Sequence, residues 1–97
     1  MAQYRVYRLS DGNLVVDLQS DSLFTTTRLV APLVPRGASA MPLRGAEPVV
    51  EFDGLPHVLY VTLTTAVLES TLHTVAGDLS ADGYAILRAI DMVFTGV

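Results

Sequence analysis

The N-terminal part of the chain alternates polar and apolar residues in a way that predicts two paired β-strands. Residues 3–9 follow a period of two, which is typical of a half-buried strand. Asp11 and Gly12 supply the turn chemistry of a tight hairpin, because Asp-Gly readily adopts positive φ angles. Residues 14–18 are again mostly apolar. We therefore expect the domain to begin with a β-hairpin.

The middle of the chain predicts further strands separated by a long loop. Residues 28–34 indicate a third strand, in which Pro32 favours an edge or a bulge because it has no N–H donor. Residues 35–48 predict a loop, with one helical turn around Ala38–Ala40. A second hairpin is expected at residues 49–63 around Asp53-Gly54, and its apolar second strand is typical of a central position. The pattern of residues 67–75 is ambiguous, and a short further strand in this segment is left open.

The C-terminal pattern changes to the spacing of an α-helix. Ser80 is a good N-cap and Asp82 would complement the helix dipole in the first turn. Residues 84–94 carry apolar side chains at i, i+3, i+4, i+7 and i+8, which are Ile86, Ala89, Ile90, Val93 and Phe94. Leu87 and Met92 widen this surface, so we expect the helix to be covered on more than one side. The pattern as a whole predicts an antiparallel, mainly β domain with one terminal helix.

The composition of the chain indicates an interface with a partner and a reducing compartment. Hydrophobic residues make up 51% of the chain and charged residues only 16%, against about 25% in a typical domain. A chain this apolar is expected to hide surface in an interface, such as one with a second copy. The net charge of −4, without any Lys, disfavours direct nucleic-acid binding. The absence of Cys favours a reducing cytosol, and we expect neither a signal peptide nor a membrane span.

The sequence offers little support for catalysis. His57 and His73 are isolated and there is no Cys, so no metal site is expected and both histidines are interpreted as ordinary surface or partly buried residues. No nucleophile elbow or phosphate loop occurs. Asp17 and Asp21 are four residues apart and would share a face of a strand, but solvated turn acids are the favoured interpretation.

The remaining charged residues and the C-terminus have ordinary explanations beside functional ones. Arg36 and Arg44 in the long loop could bind a carboxylate or a phosphate, although such residues more often solubilise a loop. Arg88 and Asp91 share a helix face and predict a surface ion pair, or a polar strip beside a partner site. Residues 95–97 alone would be interpreted as a frayed end.

Several short motifs, in order along nearly the whole chain, resemble the CcdB family of toxins. They are Gln3-Tyr4-Arg5-Val6-Tyr7, Val16-Asp17-Leu18-Gln19-Ser20-Asp21, Ala31-Pro32-Leu33, Pro48-Val49-Val50 and the helix from Asp78-Leu79-Ser80 to Gly96. Each motif is weak alone, but five in order at nearly the right spacing are specific. The resemblance implies one CcdB-like toxin domain over residues 1–97, with an SH3-like antiparallel β-barrel of the CcdB/MazF type and a C-terminal helix.

The resemblance also implies a function. CcdB toxins form homodimers, bind the A subunit of DNA gyrase and trap its cleaved complex with DNA, and a CcdA antitoxin neutralises them. They are cytoplasmic, need no cofactor and are not enzymes. The family's target contacts come from the loop after the Gln-Ser-Asp motif and from the end of the helix. The matching residues of this chain are Ser22, Leu23, Asp91, Phe94, Thr95, Gly96 and Val97.

The chain departs from the family at this implied site. Thr95 stands where the family has a Trp, Asp91 where it has an Asn, and Ser22 where it has an Ile. Because aromatic anchors often dominate interface energy, an alternative is a CcdB-like protein that keeps antitoxin binding and has lost or changed gyrase poisoning. A third, weaker alternative is a MazF-like ribonuclease using Arg28 near Thr26.

Overall fold

The computed structural model describes residues 2–37 and 41–96, and within them a curled antiparallel sheet packs against one C-terminal helix. The sheet order is β4-β5-β3-β2-β1-β7, and β6 pairs with β3. This half-barrel with a terminal helix confirms the predicted fold class. The elements are β1 (Arg5–Arg8), β2 (Leu14–Asp17), β3 (Thr27–Pro35), β4 (Val49–Phe52), β5 (Leu55–Leu59), β6 (Thr65–Leu68), β7 (Val75–Asp78) and α1 (Gly83–Thr95), with 3-10 turns at Val61–Leu63, Glu69–Thr71 and Ser80–Asp82.

Both predicted hairpins form, and the second illustrates the turn chemistry. Asp53 and Gly54 have φ angles of 54° and 76°, and two consecutive positive φ angles are typical of the type I′ turn that joins twisted strands. β5 lies between β4 and β3, so its predicted central position is confirmed. The strand is shorter than predicted, because β5 ends at Leu59 and a 3-10 turn begins at Val61.

Pro32 lies in the interior of β3 and pairs in regular register with Val15, which corrects the expectation that it belongs at an edge or a bulge. β3 pairs with β2 on one side, and on the other side it pairs with β6 up to Val30 and with β5 from Leu33. Pro32 therefore lies where β3 changes partners. Its carbonyl accepts a hydrogen bond from the Tyr60 amide at 2.9 Å, and its missing N–H faces the same gap in the ladder.

The strands at the two ends of the sheet order, β4 and β7, approach each other where an aromatic ring packs against a glycine. Phe52 on β4 lies against Gly77 on β7, and a Cβ atom at Gly77 would be only 2.5 Å from the Phe52 ring. Gly77 pairs with Val6 of β1, so the ring reaches the backbone at the far end of the sheet order. The absence of a side chain at Gly77 thus lets an aromatic ring close the curled sheet.

The inward face of α1 packs on the main core. Ile86 and Ala89 are fully buried, and Ile90 and Val93 pack against the same cluster as Val16 and its neighbours. Phe94 was predicted on this face, but its side chain is 63% exposed. At about 100° per residue Phe94 lies about 80° around the helix from Ile86, and it falls in the last turn. Phe94 therefore points away from the core.

The helix begins differently from the sequence prediction. Ser80 opens a 3-10 turn, and α1 begins at Gly83 with Asp82 in the cap position and no side-chain capping bond. The Ser80 amide donates to Asp78 Oδ1 at 2.7 Å. Hydrogen bonds from the side chain and the backbone of Ser80 hold the pKa of Asp78 below its usual value. The side chain that accepts a backbone hydrogen bond before the helix is therefore that of Asp78, and Ser80 is not the N-cap of α1.

The loop after β3 is tied down at its second half. The Leu43 amide donates to Glu47 Oε1 at 2.9 Å, and Thr62 donates to the other carboxylate oxygen of Glu47 at 2.6 Å. The side chains of Arg36 and Arg44 are exposed, as expected of solubilising residues. The helical turn predicted around Ala38–Ala40 lies outside the described residues.

Candidate target-binding surface

The loop between β2 and β3 starts at a buried carboxylate. Asp17 ends β2 and has no exposed surface, which contradicts its interpretation as a solvated turn acid. Its Oδ1 accepts a hydrogen bond from the Gln19 amide at 3.0 Å, and its Oδ2 lies 2.9 Å from Arg28 Nη2. A charge can be this deeply buried only when it is paired and hydrogen-bonded, and Arg28 provides both. No local pattern predicts this pairing, because Arg28 is eleven residues away along the chain.

Arg28 reaches from β3 back across the whole loop. Its Nε donates to Asp17 Oδ2 at 3.0 Å, Nη1 to the Leu23 carbonyl at 3.2 Å and Nη2 to the Gln19 carbonyl at 3.1 Å. Arg28 is only 3% exposed. The planar fork of a guanidinium suits this task, since it presents several donors in fixed directions. One buried side chain thereby fixes the start and the middle of the loop.

Gln19 and Asp21 add further bonds to the loop. Gln19 Oε1 accepts from the Leu29 amide at 3.1 Å and its Nε2 donates to Thr25 Oγ1 at 3.1 Å. Asp21 is largely exposed, and its Oδ1 accepts from the Gln3 amide at 2.6 Å. The polar motif that follows Val16 is therefore a structural support for the loop.

The tip of the loop presents apolar side chains to solvent. Leu23 is 54% exposed and Phe24 is 94% exposed, while the Ser22 hydroxyl lies 2.7 Å from that of Ser20. A shallow cavity of about 280 Å³ lies beside them, lined by Asp21, Leu23, Phe24, Thr25, Thr26, Arg28 and Glu69. An exposed leucine and phenylalanine side by side on a pinned loop are typical of an interaction surface. Sequence analysis named Ser22 and Leu23 and missed Phe24.

The second group of expected contact residues forms the end of α1. Thr95 is the last helical residue, and its hydroxyl donates to the Asp91 carbonyl at 2.6 Å. Gly96 has a φ of 78° and its amide donates to the Met92 carbonyl at 3.0 Å, which is a left-handed helix cap. Residues up to Gly96 are therefore ordered by the cap and are not frayed. Val97 lies outside the described residues.

Asp91 and Arg88 do not form the ion pair expected from their spacing. The ion pairs among the described residues involve Arg28 alone as the cation. The Arg88 guanidinium instead lies 5.9 Å from the centre of the Tyr84 ring, one turn earlier, in a cation–π arrangement. Asp91 is exposed and leaves a negative charge beside the helix end.

The N-terminal segment contacts the first residues of the loop and the start of α1. The Gln3 side chain donates to the Leu18 carbonyl at 3.1 Å, and the Tyr4 amide donates to the Asp17 carbonyl at 2.6 Å. The Tyr4 ring lies against Gly83, where a Cβ would be 3.0 Å away. Burial, and secondarily the charge of Asp91, raise the pKa of Tyr4 above its usual value. Within the described residues, Gln3 and Tyr4 thus connect the loop to the helix.

Another cavity lies beside β6 and the turn after β1, and no paired nucleophile and base occur among its lining residues. It measures about 510 Å³ and is lined by Leu9, Ser10, Asp11, Val67, Leu68, Ser70, Thr71 and His73. No hydrogen bond joins Ser70 to His73 within the part of the chain that is described, and His73 Nδ1 lies 3.2 Å from Thr74 Oγ1 instead. Asp11 accepts bonds from its neighbour Asn13. This arrangement lacks the nucleophile–base contact that activated serines require.

His57 has a structural role. It is 5% exposed, its Nδ1 lies 3.0 Å from the Leu55 carbonyl, and its ring meets Phe52 edge to face at 5.5 Å. His57 is thus buried, which corrects its interpretation as a surface or partly buried residue, whereas His73 is exposed as expected. Residues 2–37 and 41–96 contain no cluster of three or more His, Cys, Asp or Glu side chains that could hold a metal ion.

None of the helices formed by the described residues is long and apolar enough to span a membrane.

Comparison with known proteins identifies the family. No curated protein shows significant similarity to the chain. The family model described as CcdB protein matches residues 3–96, which is nearly the whole chain. The chain therefore belongs to the CcdB family, the toxins of the CcdA–CcdB toxin–antitoxin systems.

Proposed function

We propose that the chain is a toxin that binds the A subunit of DNA gyrase and traps the gyrase–DNA cleavage complex. The proposed contact residues are Ser22, Leu23, Asp91, Phe94, Thr95, Gly96 and Val97, together with Phe24. The chain would act by binding and not by catalysis. Residues 1–97 would form one toxin domain that acts in the cytoplasm without a cofactor.

The observation that carries this proposal is the exposure of apolar side chains on two ordered supports. Phe94 is 63% exposed on a helix whose end is closed by the Gly96 cap, and Leu23 is 54% exposed on a loop fixed by Arg28. Large apolar side chains held rigidly in solvent lose little entropy on binding, which favours a protein partner. Both supports coincide with positions that match the family's target contacts.

A second copy and an antitoxin are the other proposed partners. The outward side of α1 exposes Leu87, Met92 and Phe94, and a second copy would cover part of this surface. A CcdA-like antitoxin would bind with a disordered segment and so prevent target binding. The net charge of −4 favours protein partners over direct nucleic-acid contact. Sedimentation at micromolar concentration tests the homodimer, and a single sedimenting species of monomer mass would contradict it.

The experiment for the gyrase target uses purified toxin and gyrase from the same host. We expect the wild-type chain to stabilise cleaved DNA in a gyrase cleavage assay. Phe94→Ala should lower the affinity for the A subunit by about 2 kcal/mol or more, since exposed aromatic anchors often dominate an interface.

The matched control is Tyr84→Ala, because Tyr84 is an exposed aromatic residue at the other end of the same helix. It should leave the cleavage assay unchanged. Equal losses for the two variants would show that the effect comes from the helix in general. Failure of the wild-type chain to stabilise cleaved DNA would reject gyrase as the target.

One observation favours a second candidate function, a CcdB-like protein that keeps antitoxin binding with weakened or altered gyrase poisoning. Thr95 stands where the family has a Trp, and its hydroxyl bonds to the Asp91 carbonyl within its own helix. It therefore offers a target no aromatic ring. Expression without antitoxin distinguishes the two functions, because only the gyrase poison should arrest growth. Thr95→Trp should strengthen gyrase binding in either case.

The ribonuclease alternative is disfavoured by the position of Arg28. A residue that is 3% exposed and donates to Asp17, Gln19 and Leu23 has no free face for an RNA phosphate. Incubation of the chain with RNA should therefore leave the RNA intact.

A further inference from the structure

We infer that Arg28, paired with Asp17, is a positioning residue for target binding, although it is too buried to touch the target. This inference rests on the proposed function of the loop that carries Leu23. In this view a buried side chain that does not contact the target sets the orientation of Leu23.

The argument begins with what holds the loop. Residues 18–26 have no strand or helix of their own, so ladder hydrogen bonds cannot fix them. The Leu18 amide donates to the Leu29 carbonyl at 2.9 Å, and beyond that point side chains replace the ladder. Within the loop the Leu23 amide donates to the Ser20 carbonyl at 3.2 Å, and Arg28 ties this turn to β3 through the bond from its Nη1 to the Leu23 carbonyl at 3.2 Å.

The second step concerns the geometry that this bond imposes. The carbonyl of Leu23 is held towards the protein by the guanidinium, while its side chain is 54% exposed. Fixing the carbonyl restricts the backbone of the residue that presents the apolar contact. Release of the bond would let Leu23 and Phe24 sample many directions, and ordering them on a target would then lower the affinity.

The third step explains why Asp17 belongs to the device. The carboxylate holds Arg28 Nε and Nη2, so the guanidinium has one orientation, and Nη1 is aimed at the loop. Asp17 also accepts the Gln19 amide, and Arg28 Nη2 donates to the Gln19 carbonyl. Asp17 and Arg28 are held by β2 and β3, and their hydrogen bonds to Gln19 and Leu23 therefore hold the loop in one conformation.

The test separates positioning from stability with a double substitution. Arg28→Met leaves a buried carboxylate without its cation, whereas Asp17→Leu/Arg28→Met removes both charges and should recover most of the urea midpoint. Both variants lack the bond to the Leu23 carbonyl. We expect each to bind the gyrase A subunit at least about tenfold more weakly than the wild-type chain.

The conservative variant and a control refine the test. Arg28→Lys keeps the charge but has no planar fork, so it should retain stability better than Arg28→Met and still bind more weakly than wild type. Val30→Ala is the matched control, because Val30 is 1% exposed on the same strand and its hydrocarbon side chain has no donor for a loop carbonyl. It should lower the urea midpoint without a comparable loss of affinity.

Amide hydrogen exchange provides a readout that does not need gyrase. In Asp17→Leu/Arg28→Met we expect exchange of the amides in residues 19–24 to accelerate by about tenfold or more relative to β1, and in Val30→Ala to follow the rest of the sheet. Unchanged loop exchange, or recovery of full affinity together with stability in the double variant, would overturn the inference. If the wild-type chain does not bind gyrase, the proposed function fails, and the exchange data alone decide the role of Arg28.

Discussion

The loop after β2 and the end of α1 both expose apolar side chains, but they are ordered by different interactions. The loop depends on a buried ion pair and side-chain hydrogen bonds, with Arg28 at the centre. The helix end depends on apolar packing of Ile86 and Ala89, about two to three turns before Gly96, and on the backbone cap at Gly96. Because the interactions differ, a substitution that loosens the loop should leave the helix end ordered, and the reverse should also hold.

The largest expected effect comes from breaking the loop's buried pair. Asp17→Leu should lower the free energy of unfolding by about 3–5 kcal/mol, because it leaves the Arg28 guanidinium buried without a counter-charge. Urea denaturation measures this loss. Asp21→Asn is the control, since the exposed Asp21 lies 3.9 Å from Arg28 and should contribute much less. Equal losses for the two variants would contradict the central role of the buried pair.

The next effect comes from the support of the helix. Ile86→Ala should lower the free energy of unfolding by about 2–4 kcal/mol, because it opens a cavity in the main core. Leu87→Ala, at the exposed neighbouring position, should cost much less. Thermal unfolding of the two variants checks this prediction. A larger loss at Leu87 would mean that the two sides of α1 have been assigned the wrong way round.

A smaller effect is expected at the helix cap. Gly96→Ala should lower the free energy of unfolding by about 1 kcal/mol, since a φ of 78° disfavours any residue with a Cβ atom. Urea denaturation measures the loss, and amide exchange should show it in the last turn of α1 and not in the loop. Simultaneous acceleration in both regions would show that they do not behave independently.

The smallest effect concerns Tyr4, which contacts Asp17 before the loop and Gly83 at the start of α1. Its raised pKa in the folded chain means that the unfolded chain loses this proton first, so stability falls as the pH rises above about 10. Tyr4→Phe should therefore lose less stability than the wild-type chain between about pH 9 and about pH 11. Urea midpoints over this range test the sign, and a steeper alkaline loss in Tyr4→Phe would contradict it.

The fold was largely predictable from local sequence. The turn at Asp53-Gly54, the long β3 strand and the inward helical residues Ile86 and Ala89 follow from short-range rules of turn chemistry and periodicity. Local rules were wrong where the outcome depended on distant partners. Pro32 is accommodated by a change of neighbouring strand, and Phe94 is exposed because it lies about 80° around the helix from the buried Ile86.

The candidate site was predictable only in part. The resemblance to the family indicated Leu23 and Phe94, but it did not explain how the loop is held. Asp17 looked like a solvated turn acid because its partner Arg28 is brought to it only by the pairing of β2 with β3. Phe24 could have been noticed as an aromatic residue in an otherwise polar segment, which is unusual for a loop without a partner.

The most direct test of the account is an amide-exchange footprint of the wild-type chain with and without the gyrase A subunit. We predict slower exchange in residues 19–26 and at the end of α1 upon binding, with the hairpin of β4 and β5 unchanged. Protection of that hairpin, with the loop and the helix end exchanging as in the free chain, would contradict the claim that these two exposed regions form the binding surface.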